Sequence, residues 1–144
     1  MGGGIVGQQQ EGIVSKCSNS GEINGNDGWG IGGIVGQNSG VISECFNKGK
    51  VISLTGQGTS GIGGISGNNN SYGKVNHCSN IGEINVSDIP QNIGTIIGFN
   101  EGRIQNCYYL ENTGGKIKGI GNEENNDEKT KAFETVEMIP FKLK

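Results

Sequence analysis

Glycine returns between aliphatic residues at a fixed step. Ile31, Ile62 and Ile93 are each followed by glycine at 32, 63 and 94, by isoleucine at 34, 65 and 96, and by glycine again at 36, 67 and 98, a step of 31 residues. An earlier copy, Gly4-Ile5-Val6-Gly7, precedes the second by 29, and the shortfall belongs in a loop. A second recurring piece is aligned on Cys17, Cys45, Cys78 and Cys107. Three residues before each cysteine stands Val14, Ile42, Val75 or Ile104, and directly before it stands a polar residue: Lys16, Glu44, His77 or Asn106. Asn-x-Gly follows at Asn19, Asn47 and Asn80, and at Asn112 after an insertion. A third aliphatic position comes at Ile23, Val51 and Ile84. Each copy therefore holds three short apolar segments punctuated by turns, which is the pattern of one coil of a parallel β-solenoid. Coils stacked about 4.8 Å apart place like on like, which explains the recurrence. An antiparallel sandwich predicts no such ladder. The expected fold is all-β: a parallel β-helix of about four coils with three short strands per coil. Glycine and Asn-Gly are expected where the backbone turns with positive φ, and glycine also where two walls approach closely.

Composition agrees with a thin, repetitive core. Hydrophobic residues make up 31% of the 144, with 29 glycines, against roughly 45–50% apolar including glycine in ordinary domains. Disorder is excluded by the wealth of Ile and Val and a net charge of only -3, since disordered chains are poor in β-branched residues and highly charged. Neither residues 1–100 nor residues 101–144 are basic enough to grip a phosphate backbone, so no nucleic-acid partner is expected. No run of about 18 apolar residues exists to span a bilayer, and "MGGGIVGQQQ" lacks the regions of a signal peptide.

The stretch "GGIVGQNSGVISECFNKGKV", residues 32–51, resembles the GLUG-type glycine-rich repeat of bacterial surface and secreted proteins. The resemblance covers about residues 3–118. Its core stands as Gly33-Ile34-Val35-Gly36 and Gly4-Ile5-Val6-Gly7, while Gly64-Ile65-Ser66-Gly67 and Thr95-Ile96-Ile97-Gly98 each depart at one position. Such repeats occur in adhesin-like proteins and outside the catalytic part of immunoglobulin-A-cleaving metallopeptidase-like proteins. The resemblance implies a cell-surface or secreted, non-catalytic module, and it names no ligand.

The chain divides into a repeat solenoid over residues 1–120, a polar charged loop over 121–131, and a C-terminal cap over 132–144. Phe133, Val136 and Ile139 recur at a spacing that fits a short amphipathic turn ending before Pro140, with a short strand as the alternative. The tail is expected to cover the last coil. Residues 1–10 hold neither charge nor proline to blunt the opposite edge, so self-association through the first coil is expected.

No constellation rises to an active site, and no cofactor is called for. The cysteine spacings of 28, 33 and 29 match no zinc pattern. An inward ladder of small apolar side chains is expected at Cys17, Cys45, Cys78 and Cys107, all buried. Disulfides and metal binding are the alternatives, although the coil spacing exceeds the usual Cβ separation of a disulfide. Gly28-x-Gly30-x-x-Gly33 and Gly56-x-Gly58-x-x-Gly61 resemble the dinucleotide fingerprint but lead into strands instead of a helix. His77 shares the solvent-facing column. Glu22 and Glu83 share another, with Lys50 between them, which suits charge compensation rather than catalysis. Asp27, Asp88 and Asp127 are too irregular for a calcium ladder. Phe46 and Tyr108, each one residue after a cysteine, are read as corner packing and Trp29 as a cover for the solenoid edge. Candidate contacts for a protein or glycan partner are Trp29 and Tyr109. The leading expectation is a structural or interaction module; the alternatives are a carbohydrate-binding module and, behind it, a polysaccharide-processing β-helix enzyme.

Overall fold

The computed structural model describes residues 1–25, 30–53, 61–86, 92–111, 117–124 and 128–140. Every strand ladder in it is parallel, and corresponding residues of successive copies lie side by side. Four ladders are at least four strands deep. The first holds Gly2–Gly3, Ile31–Gly32, Ile62–Gly63 and Ile93–Gly94. The second holds Val6–Gln9, Val35–Asn38, Ser66–Asn69 and Ile97–Asn100. The third holds Ile13–Ser15, Val41–Ser43, Lys74–Asn76 and Arg103–Gln105. The fourth holds Ser18–Asn19, Phe46–Asn47, Ser79–Asn80 and Cys107–Leu110, and gains Thr130–Phe133 as a fifth strand. A last ladder of Ile23–Asn24, Val51–Ser53 and Ile84–Val86 is three deep. The protein is thus a β-solenoid of about three full turns with a fourth partly built. The expected four coils overcount slightly, and each complete coil carries five short strands where three were expected. The extra breaks fall where the aliphatic runs seen in sequence are bent by corners.

Two apolar clusters fill the tube. The larger gathers Ile34, Val35, Ile42, Ile65, Val75, Ile96, Ile97 and Ile104 with three cysteines. The smaller gathers Ile31, Val51, Ile62 and Ile84. Stacking identical β-branched residues is what a pleated wall favours, so each coil supplies the same few positions and the core grows by repetition.

Glycine does a different job from the one expected at most turns. Beside Asn80 the backbone of Gly64 leaves so little room that a Cβ there would meet the carboxamide nitrogen at 2.1 Å. Gly33 stands in the same relation to Asn47, at 2.5 Å from its side-chain carbon. Close approach, not positive φ, is what excludes a side chain at these two positions. Among the described residues positive φ occurs at Gly12 and Gly30, both 100°, at Asn92, 71°, and at the polar residues before the cysteines, Lys16, Glu44, His77 and Asn106, with φ of 52, 54, 52 and 52°. Polar residues tolerate that corner because their side chains leave the tube for solvent. All four are exposed.

The C-terminal segment folds over the last coil. The amides of Thr95 and Ile96 donate to the carbonyls of Lys118 and Gly119, and Gly121 donates back to Ile97. Thr130–Phe133 lies parallel on Cys107–Leu110. That strand begins two residues inside the stretch read as a loop and ends at Phe133. A 3₁₀ turn over Val136–Met138 follows, and Ile139 is buried.

Candidate functional site

Two asparagine ladders run through the interior. In one, Asn19 Nδ2 donates to Asn47 Oδ1 at 3.0 Å and Asn47 Nδ2 to Asn80 Oδ1 at 2.8 Å. Each of these asparagines also donates to the carbonyl of the glycine two residues on and accepts that glycine's N–H. In the other ladder Asn38 donates to Asn69 and Asn69 to Asn100, each at 2.9 Å. Asn38, Asn47, Asn69 and Asn80 have no exposed surface. A buried amide left unpaired would cost about 1–3 kcal/mol, so full pairing along the column is the condition for placing amides here at all. The donor always belongs to the earlier layer and the acceptor to the later one.

The Asn-x-Gly signature was legible as a turn, but its role as an amide ladder was not. The second ladder was missed altogether. Its members are Gln9, Asn38, Asn69 and Asn100, aligned by the parallel register. A polar residue followed by glycine in every copy was the signal, obscured by the longer Asn69 to Gly73 interval.

The cysteines stack as a column. Cys45, Cys78 and Cys107 are buried and Cys17 is half-buried; all four are free thiols. Full burial is not reached at Cys17, which among the described residues is flanked in its column by Cys45 alone. Each thiol donates to the carbonyl two residues before it, across the left-handed residue, at 3.2–3.4 Å. At Ser43, Asn76 and Gln105 that carbonyl also accepts the N–H of the corner residue one coil earlier, so the thiol supplies its second bond. The hydrogen bond with Cys78, together with burial, pushes the Cys45 thiol far up. Burial first, then the bond with Cys107, does the same to Cys78. Burial raises Cys17 as well. Thiols held protonated in this way are poor nucleophiles and poor metal ligands.

The remaining sequence candidates scatter. Lys50 pairs with Glu83 at 3.7 Å on the surface, and Glu22 is exposed on the first coil. His77 is exposed on its corner. Trp29 lies outside the described residues, as do Asp27, Asp88 and Asp127. Tyr109 is corrected: it is 6% exposed and packs in the larger core cluster, because it occupies the layer directly above Asn80 in the fourth ladder. A ring enclosed there offers no face to a ligand. Phe46 is buried, and Tyr108 packs on Phe133 with ring centroids 5.5 Å apart. The exposed ring that the sequence reading passed over is Tyr72, 83% exposed. It precedes a shallow groove of about 110 Å³ lined by Lys74, Asn76, Arg103 and Gln105.

The two ends of the tube differ. At the C-terminal end the last ladder amide, Asn100, donates to the Glu123 carboxylate, which Lys129 also holds. Burial pushes the Glu123 carboxyl up, but the bonds from Lys129 and Asn100 outweigh it and leave it below its ordinary value. At the other end Ile5 and Ile13 are 45% and 71% exposed. Ile13 lines an open groove of about 600 Å³ together with Val6, Gln8, Glu11 and Val14.

Residues 27–52, which make up the second coil from its leading loop to the third aliphatic segment, match the family model described as the GLUG motif. The chain carries a GLUG motif. Its described part contains Gly33 over Asn47, the Asn38 amide and the buried Cys45, so the motif codes one layer of both ladders. The other layers repeat those positions and extend the motif into a repeat module. A search among curated proteins finds no match, and neither does one among solved structures.

Proposed function

We propose that this chain is a non-catalytic structural and interaction module of a bacterial cell-surface or secreted protein, an adhesin-like spacer that holds and presents other domains. The observation that carries the reading is the fate of the buried amides: side chains that elsewhere line binding clefts are tied layer to layer along the tube. A tube braced in this way keeps its length. Placing the chain between a donor and an acceptor fluorophore should give a transfer efficiency that stays constant with salt and collapses in one cooperative step on unfolding. A gradual, salt-dependent change would end the spacer reading. Turnover of a polyuronide lost in Glu22→Gln or Glu83→Gln would end the non-catalytic one.

One observation favours a second reading, as a carbohydrate-binding module. Tyr72 is exposed two residues before Lys74, which lines a groove with Arg103 and the amides of Asn76 and Gln105. Cations and amides in one groove, with an exposed ring on the same stretch of chain, suit an acidic sugar. Glycan-array binding that disappears in Tyr72→Ala and Arg103→Ala would favour this reading.

A further inference from the structure

The C-terminal end of the tube brings an amine, a carboxylate and a carboxamide into one chain of contacts. Lys129 Nζ donates to Glu123 Oε1 at 2.5 Å, and Asn100 Nδ2 donates to Glu123 Oε2. One carboxylate therefore touches both nitrogens. The carboxamide is held from its other side as well: Asn100 Oδ1 receives the Asn69 amide at 2.9 Å and the Gly102 N–H at 3.1 Å, while Nδ2 also donates to Gly102 O at 3.2 Å. Two donors on the oxygen and two acceptors on the nitrogen fix which way the amide points. Its backbone is clamped by Asn122, which accepts the Asn100 N–H at 2.7 Å and donates to the Asn100 carbonyl at 2.9 Å. Asn100 is 5% exposed, and the Lys129 and Glu123 side chains are 34% and 26% exposed. Elsewhere in this ladder the acceptor of each amide is the next amide. At Asn100 it is a carboxylate that carries an amine, which is more than the end of a ladder requires. The parts are a nucleophile, a proton carrier touching both it and the leaving nitrogen, and paired N–H donors on the oxygen where charge would develop.

We propose that Lys129 and Asn100 join in an intramolecular isopeptide bond, with Glu123 as proton carrier and the Asn69 and Gly102 N–H groups as oxyanion donors. Glu123 takes a proton from the Lys129 ammonium, and the freed lone pair of Nζ attacks Asn100 Cγ. The charge that develops on Oδ1 lies against the two N–H donors. The tetrahedral centre then collapses: the Cγ–Nδ2 bond breaks, two protons in all pass from Nζ by way of the carboxylate to Nδ2, and Nδ2 departs as ammonium. No oxidant or co-reactant is consumed. Burial pushes the Glu123 carboxyl up, but the bonds from Lys129 and Asn100 outweigh it, so the group is ionised and ready to accept. A carboxylate is a weak base towards an ammonium, so the bond forms slowly. One turnover per chain requires no speed, and the event stays inside the chain, which leaves the non-catalytic reading of the module in place. The product ties the last coil to the segment that covers it, and constrains the unfolded chain as other cross-links do.

The intact mass of the full chain, incubated folded and then denatured, reads the reaction directly. The expected mass falls short of the sequence by one ammonia, and proteolysis yields a branched peptide that joins the segment of Asn100 to that of Lys129. Lys129→Arg keeps a cation on Glu123 and removes the nucleophile, so this variant retains the full mass. Glu123→Gln should form the bond at least about a hundredfold more slowly. A full mass in a chain whose hydrogen-exchange protection shows Thr130–Phe133 paired on the last coil overturns the proposal. So does a lost ammonia that persists in Lys129→Arg, or that maps to a cyclic imide at Asn24, which precedes Gly25. Formation at an unchanged rate in Glu123→Gln overturns the role of the carboxylate.

Discussion

The interior coils and the first coil share one repeat, yet the same side chains stand in different physical conditions. Asn47 and Asn19 occupy one column, and so do Cys45 and Cys17. In the interior each is enclosed from both sides; in the first coil each is half-buried. The glycines differ as well. A Cβ on Gly67 would meet the Ile31 nitrogen at 2.3 Å, whereas one on Gly7, in the same column of the first coil, would meet its nearest neighbour, the Met1 carbonyl, only at 4.0 Å. The repeat specifies which residue stands where, and the neighbouring layer specifies how much it matters.

The largest test of that contrast is glycine. Gly67→Ala should destabilise by about 3 kcal/mol or more, since its Cβ would meet the backbone of Gly30 and Ile31 in the neighbouring coil. Gly7→Ala should change stability by less than about 0.5 kcal/mol. Chemical denaturation of the two variants settles it, and equal losses would erase the distinction between the coils.

Next come the amides. Asn47→Leu removes a ladder rung and takes the donor from the Gly49 carbonyl and the acceptor from the Asn19 amide, for an expected loss of about 2–3 kcal/mol. Asn19→Leu, on the open face, should lose under about 1 kcal/mol. A comparable loss at both sites in thermal unfolding would mean that the first coil is enclosed in solution.

The thiols sharpen the same comparison by rate. Under native conditions a thiol reagent should label Cys17 first and leave Cys45 and Cys78 until the chain unfolds. The pH dependence follows from the raised thiols. Unfolded cysteines ionise around their ordinary value of 9.0 while Cys45 and Cys78 stay protonated in the fold. Their contribution is therefore complete below pH 9.0 and is lost as pH rises above it. Fast labelling of Cys45 at neutral pH would break the expectation.

The smallest effect concerns the left-handed corners, where both regions should behave alike. Glu44→Asn and Lys16→Asn should each stabilise by about 0.5 kcal/mol, because Asn tolerates positive φ better than Glu or Lys. Unequal gains would show that the corner strain depends on the layer above.

Thr95 and Tyr109 show how far sequence reading reaches. Thr95 looks like a defect in the glycine motif, and Tyr109 looks like an exposed aromatic near an insertion. In the fold they are one event. Tyr109 takes the column of Asn19, Asn47 and Asn80, and Thr95 takes the column of Gly33 and Gly64 that faces those asparagines. Where the amide is absent the glycine is no longer required. Asn80 Nδ2 turns instead to the Thr95 carbonyl at 2.9 Å.

The sequence alone determined that this chain is a parallel β-solenoid, because a repeat of fixed length with β-branched residues and glycine at the same places can bury its apolar positions only by stacking like on like. It also determined the columns to which cysteine, asparagine and the polar corner residues belong. Tertiary structure decided what those columns do. Whether an asparagine caps a turn or passes hydrogen bonds from layer to layer, whether glycine answers to φ or to a neighbour 2.1 Å away, and whether a tyrosine faces solvent all depend on contacts between residues some 31 positions apart. Tertiary structure likewise decided the direction of the amide donors, which is set by how one coil lies on the next and brings the last of them, Asn100, to the Glu123 carboxylate.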